Sequence, residues 1–145
     1  MILSNLEELP KVPLSHDGDV YKQVFLKYGQ VAYPLCSPAT LFVEGTNEES
    51  RHMPQLAQTR LLPGQVSSEH FHKDMTEIFY FLSGQVTMTI DGRPINVRAG
   101  TCVCVQPYEK HEIVNTHPTD PCDIFYFGII TGDPRATLEA APPAQ

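Results

Sequence analysis

Four side chains able to ligate a metal stand close together in this sequence: His70, His72, Glu77 and, further on, His111. His70 and His72 are separated by one residue. On a strand such a pair shares a face, about 6.6 Å apart at ~3.3 Å per residue. Two imidazoles so placed can converge on one ion at about 2.0–2.2 Å from each nitrogen. Phe71 between them faces the other way. Lys73-Asp74-Met75-Thr76 has the length of a hairpin connection, which returns Glu77 beside the two histidines at the start of the next strand. His111 begins a separate strand after the corner Pro107-Tyr108-Glu109-Lys110. Three neutral imidazoles and one carboxylate suit one divalent transition metal, whether Fe, Mn, Ni, Co, Zn or Cu, and do not suit Ca²⁺ or Mg²⁺. In an octahedral ion, four protein ligands leave two positions for water, a chelating substrate, or substrate with O₂. That is a catalytic layout rather than a closed structural one.

Short strands must do the positioning. Thirteen prolines and nine glycines interrupt the chain so often that few windows can hold three helical turns. The runs between them are rich in Val, Ile, Phe, Tyr and Thr, the pattern of a sandwich or barrel. Strands are expected at residues 20–28, 39–43, 56–62, 77–82, 85–90, 94–98, 101–106, 111–115 and 123–130. A short helical turn is expected at Asn5 to Leu9, a turn at His16-Asp17-Gly18-Asp19, and a loop over 44–55. Asp91-Gly92 is a tight hairpin signal. The expected organisation is a single domain: an N-terminal arm and first strands over 1–50, a core over 51–130, and a loosely held Ala- and Pro-rich tail over 131–145.

Bulk properties narrow the function classes. The 145 residues are 41% hydrophobic, as in a globular domain, and carry a formal net charge of −7. An acidic surface repels phosphate backbones and anionic lipid heads, so neither nucleic acid nor membrane is an expected partner. The N-terminus has no positive n-region and no apolar h-region, and a cytoplasmic setting is expected. Cys36, Cys102, Cys104 and Cys122 form no C-x-x-C pair, so they read as small apolar residues rather than zinc ligands.

The run Gly64 to Gly84, GQVSSEHFHKDMTEIFYFLSG, resembles the first motif of the cupin superfamily, G-x5-H-x-H-x(3–4)-E-x6-G, at Gly64, His70, His72, Glu77 and Gly84. Gly100, His111 and Asn115 meet the second motif, while Gln106 and Tyr108 stand where proline and glycine are usual. The resemblance implies a small, single-domain cupin of bacterial type. It also implies an all-β fold, an antiparallel jelly-roll-like barrel of two sheets, usually a homodimer. The metal ligands implied are His70, His72, Glu77 and His111.

Strand alternation suggests what surrounds them. If Glu77 faces inward, so do Phe79 and Phe81. If His111 does, so do Ile113 and Asn115. Tyr126 and Phe125 face opposite ways, and one of them looks inward. Gln58 and Arg60 share a face, and on the inner one Arg60 would grip a carboxylate or enolate bidentately. His16, His52 and His117 fall in turns and loops and read as surface residues.

The expected activity is that of a metal-dependent enzyme on a small, oxygen-bearing molecule that chelates the ion. Dioxygenase chemistry leads, by resemblance to acireductone- and flavonol-cleaving cupins. The alternatives are Lewis-acid cyclase, isomerase or lyase chemistry, as in small cupin polyketide cyclases, and a non-catalytic binding protein. Glu77 is the candidate proton shuttle if it is only loosely ligated.

Overall fold

The computed structural model describes residues 3–26 and 55–135. The expected strand at 39–43, most of the loop at 44–55, Cys36, His52 and the tail beyond 135 lie outside them. Asn5 accepts a hydrogen bond from the Glu7 amide and caps a 3-10 turn over Leu6–Glu8. Among the described residues ten strands follow: β1 (Val12–Pro13), β2 (Tyr21–Leu26), β3 (Leu56–Leu61), β4 (Val66–His70), β5 (Met75–Phe81), β6 (Gln85–Ile90), β7 (Arg93–Arg98), β8 (Cys102–Val105), β9 (His111–Val114) and β10 (Cys122–Ile130).

They form two antiparallel sheets, of order β1-β2-β3-β10-β5-β8 and β4-β9-β6-β7. Among the described residues no ladder joins one sheet to the other, so the enclosure is a pair of facing sheets rather than a closed barrel. The inner residues of both sheets make the core, with Leu61, Phe81, Val86, Met88, Val97 and Ile124 all nearly or fully buried. Strict alternation on β10 buries Cys122, Ile124, Tyr126 and Gly128 on its inner face and leaves Phe125, Phe127 and Ile129 half-buried on the other.

The turns obey their residues. Asp91 and Gly92 both have positive φ, 48° and 76°, as a tight hairpin between β6 and β7 demands. Gly84 has φ 78°, and a Cβ there would come 2.5 Å from the Pro121 carbonyl oxygen. Glycine at that position lets the chain entering β6 lie against the start of β10.

Two sequence expectations need correcting here. His72 is not on a strand, because β4 ends at His70. Residues 71–74 also do not close a hairpin, because β4 and β5 belong to different sheets and the segment crosses between them. The physical reason is the Asp74 carbonyl, which accepts the amides of Thr131 and Gly132 and ties the crossing to the end of β10.

Candidate metal centre

The four candidate ligands reach one point from three directions. His70 ends β4 and His111 begins β9, in the smaller sheet. Glu77 comes from β5, in the larger sheet. His72 comes from the crossing between them. A bulge does part of the aiming: Ser67 pairs with Ile113, but the next pair is His70 with His111. Two residues of β4 therefore oppose one of β9, which turns the strand and sets the two histidines opposite each other. One potential ligand atom from each of the four residues lies within 4.8 Å of all the others.

Glu77 is buried in the middle of the group. Its Oε2 lies 3.1 Å from His111 Nε2 and 3.2 Å from His72 Nε2. Burial alone would raise its pKa, but the facing imidazoles of His111 and His72 outweigh that and hold it at about 2. Burial lowers the pKa of His70. It would lower that of His111 too, but the contact with Glu77 raises it instead. The same surroundings that favour a proton on His111 favour a cation in its place.

Outer partners set the tautomers. His70 Nδ1 lies 2.7 Å from the Ser68 carbonyl oxygen, and His111 Nδ1 lies 3.1 Å from the Glu109 carbonyl oxygen. Each Nδ1–H can donate there, leaving the Nε2 lone pair for a metal. His72 Nε2 is the one buried side-chain polar atom without a hydrogen-bond partner among the described residues. A ring nitrogen buried 3.2 Å from a carboxylate and making no hydrogen bond is a candidate metal ligand. The donor set therefore fits a divalent transition metal.

The corner before His111 compensates for its unusual sequence. Tyr108 stands where the resemblance leads one to expect glycine, and it adopts glycine-like geometry at φ 70°. Its amide donates to the His72 carbonyl at 2.7 Å, its ring stacks on Phe71, and its hydroxyl meets the Asp133 carboxylate at 2.9 Å. These contacts offset the cost of a left-handed tyrosine and tie the His111 corner to the His72 segment.

A cavity of about 40 Å³ adjoins the cluster, lined by His70, Glu77, Phe79, Ile113 and Tyr126 together with Leu14, Thr59 and Ser67. That is room for a few water-sized groups. The Phe79 and Tyr126 rings stack with centroids 5.8 Å apart, and Phe79 meets His111 edge-on. Burial, then the charge of Glu77, pushes the Tyr126 hydroxyl well above the usual phenol range.

The other expected pocket residues lie elsewhere. Phe81 is inward but fully buried in the core. Asn115 is also fully buried, and its amide donates to the carbonyls of Leu61 and Asp120 while its Oδ1 accepts from His117 N. It is a turn brace with both amide hydrogens spent on backbone carbonyls. Gln58 and Arg60 face outward, because Ala57, Thr59 and Leu61 take the inner face of β3. Arg60 makes a bidentate pair with Asp123, at 2.7 and 2.9 Å. Both residues line a cavity of about 540 Å³ on the outer face of the larger sheet, beside the N-terminal arm. Cys102 and Cys104 are exposed, with Val103 and Val105 facing in.

The arm carries what sequence reading missed. His16 is no bystander: its Nε2 lies 3.2 Å from His70 Nδ1, with ring centroids 4.2 Å apart. Asp17 accepts from the Ser68 amide at 2.8 Å and from the Ser68 hydroxyl. Asp17 thus orients the residue whose carbonyl orients His70. The only sequence signal was a polar turn just ahead of a strand. His117 accepts the amides of Thr119 and Asp120 and holds a turn, as a surface residue can.

The chain belongs to the cupin superfamily: the model of the cupin domain matches residues 57–128, which contain every candidate ligand. No curated protein sequence matches it. Among solved structures it is similar to a predicted oxalate decarboxylase from Thermotoga maritima, at 20% identity and TM-score 0.66, covering 88% of this chain and 98% of that one. It is similar to a Cupin 2 conserved barrel domain protein from Salinispora arenicola, at 18% identity and TM-score 0.59, covering 88% and 87%. KdgF from Halomonas sp. is similar at 12% identity and TM-score 0.58, covering 84% and 89%. At these identities the likenesses show the fold. No helix among the described residues is long and apolar enough to cross a membrane.

Proposed function

We propose that this chain is a metal-dependent cupin enzyme. Its substrate is a small organic molecule that chelates the ion through oxygen, and its chemistry is dioxygenase-type. The supporting observation is the meeting of three imidazoles and one ionised carboxylate at the edge of a small, largely apolar cavity. His70, His72, Glu77 and His111 would hold the ion. When bound, a redox-active metal supplies one-electron chemistry and a redox-inert one supplies Lewis acidity to a chelated oxygen.

The chain's own residues do the rest. Glu77, held at about 2 between His72 and His111, is a ligand and a poor base near neutral pH. The Thr59 hydroxyl donates to the Tyr21 carbonyl at 2.7 Å, so it braces β2 rather than serving a substrate. Phe79, Ile113 and Leu14 give the cavity apolar walls. Tyr126 stays protonated, so its hydroxyl can donate a hydrogen bond to a substrate oxygen, while its raised pKa makes it a poor acid and no base. That hydrogen-bond donor favours a second reading, Lewis-acid cyclase, isomerase or lyase chemistry, in which a developing enolate is stabilised.

The test is to load the protein separately with Fe(II), Mn(II), Ni(II), Co(II), Zn(II) and Cu(II). Each form is then offered enols, hydroxyketones, catechols and 2-oxo acids, with O₂ uptake and product both followed. O₂ consumed in step with substrate is expected with a redox metal. Turnover with zinc and no O₂ uptake replaces this reading with the second. Binding without turnover under every metal leaves a small-molecule-binding cupin.

A further inference from the structure

The inner wall next to the site carries a cation that the metal reading does not use. Along β2 and the residue before it, Val20 and Val24 pack into the core, whereas Tyr21 and Gln23 line the outer groove. Lys22 therefore belongs to the inner face. Register agrees: Lys22 pairs with Thr59, whose side chain lines the cavity beside His70 and Glu77. Lys22 is half-buried, and its ammonium donates to Gln55 Oε1 at 2.9 Å. Among the described residues that is the one hydrogen bond given to its three donors. Glu77, which already faces two imidazoles, is close enough to act on it electrostatically.

Charge counting then points to the ligand. Glu77 cancels one charge of a divalent ion, and the three imidazoles cancel none. The ion and the Lys22 ammonium together leave two positive charges around a partly desolvated space, which is costly without an anion.

We propose that Lys22 is a specificity-determining residue that selects an anionic oxygen-donor substrate. Its ammonium meets a carboxylate or enolate oxygen of a molecule whose other oxygen is offered to the His70, His72, Glu77 and His111 group. This inference rests on the metal reading above and narrows its substrate class to small organic anions. It also assigns to Lys22 the anion-gripping role that the outward-facing Arg60 cannot fill.

The experiment uses the full chain loaded with Co(II), whose visible spectrum reports both occupancy and exogenous ligands. Oxalate is the anionic chelating probe and imidazole the neutral one. Lys22→Met keeps the aliphatic stem and removes the charge, and Lys22→Arg keeps the charge. Lys22→Met is expected to weaken oxalate binding about tenfold or more. It is expected to move imidazole binding by less than about twofold, because a neutral ligand does not depend on the ammonium, and to leave Co(II) affinity unchanged or tighter, because a like charge is removed. Lys22→Arg is expected to retain most of the oxalate affinity. Equal oxalate affinity in the wild type and Lys22→Met overturns the proposal. So does a Co(II)-loaded wild type that takes no oxalate, or a Lys22→Met protein that loses oxalate and imidazole alike. Failure of the wild type to bind Co(II) in the first titration removes the metal reading itself, and this inference with it.

Discussion

Glu77 and Asp123 are carboxylates on neighbouring strands of the larger sheet, and each sits against a base. Glu77 faces the cavity and meets His72 and His111, the latter only 1% exposed. Asp123 faces the outer groove and meets Arg60, whose side chain is 59% exposed. Both carboxyls are held below their ordinary range, Glu77 by its imidazoles against burial, Asp123 first by hydrogen bonding from Arg60. The difference lies in the bases. A guanidinium is already a cation and offers no lone pair, so a bidentate pair with Asp123 uses up its geometry. Imidazoles keep a lone pair each and can exchange a proton for a metal. One face of the sheet therefore holds a surface ion pair, and the other holds a donor set that could take a metal cation.

The contrast can be pressed hardest at Glu77. Glu77→Gln is expected to weaken Co(II) or Zn(II) binding by more than about 100-fold, since losing a charged ligand exceeds the usual loss from an outer partner. Competition against a chelator of known affinity measures it. The same variant tests the acid leg in the metal-free protein. A carboxyl lowered from 4.5 to about 2 stabilises the fold above pH 4.5, and that contribution is lost as pH falls from there toward 2. The wild type is expected to lose stability over that window relative to Glu77→Gln, as read by denaturant melts at several pH values. Parallel curves would place Glu77 outside any such pairing.

A smaller effect is expected from the arm. Asp17→Ala frees the Ser68 amide and hydroxyl, so the Ser68 carbonyl no longer fixes His70. Metal affinity is expected to fall by about tenfold. Recovery in Asp17→Asn, which keeps one acceptor, would separate orientation from charge. An unchanged affinity in Asp17→Ala would reduce the arm to a cover.

The smallest effect belongs to the outer face. Arg60→Met is expected to cost no more than about 1 kcal/mol of stability, because solvent screens an exposed pair. Metal affinity is expected to stay within about twofold. A large loss of metal binding in Arg60→Met would break the comparison between the two faces.

The ligands were legible because cupin motifs space them at fixed intervals, and the strands because proline and glycine punctuate them so plainly. The Asp91-Gly92 hairpin and the inward set Glu77, Phe79 and Phe81 follow from turn chemistry and a period of two. Sequence spacing alone misplaces His72, because i and i+2 share a face only while the strand continues and β4 stops at His70.

Residue types and their intervals determined that three imidazoles and a carboxylate could meet, and that Glu77 and His111 would lie on strands. Which face of β3 points inward, that Arg60 is spent on Asp123, and that Lys22, His16 and Asp17 come to the site were decided only by tertiary structure. The reason is that strand alternation defines two faces without saying which is inside. Contacts such as His16 with His70, or Lys22 opposite Thr59, join residues 54 and 37 positions apart, and only the packing of strands closes those distances.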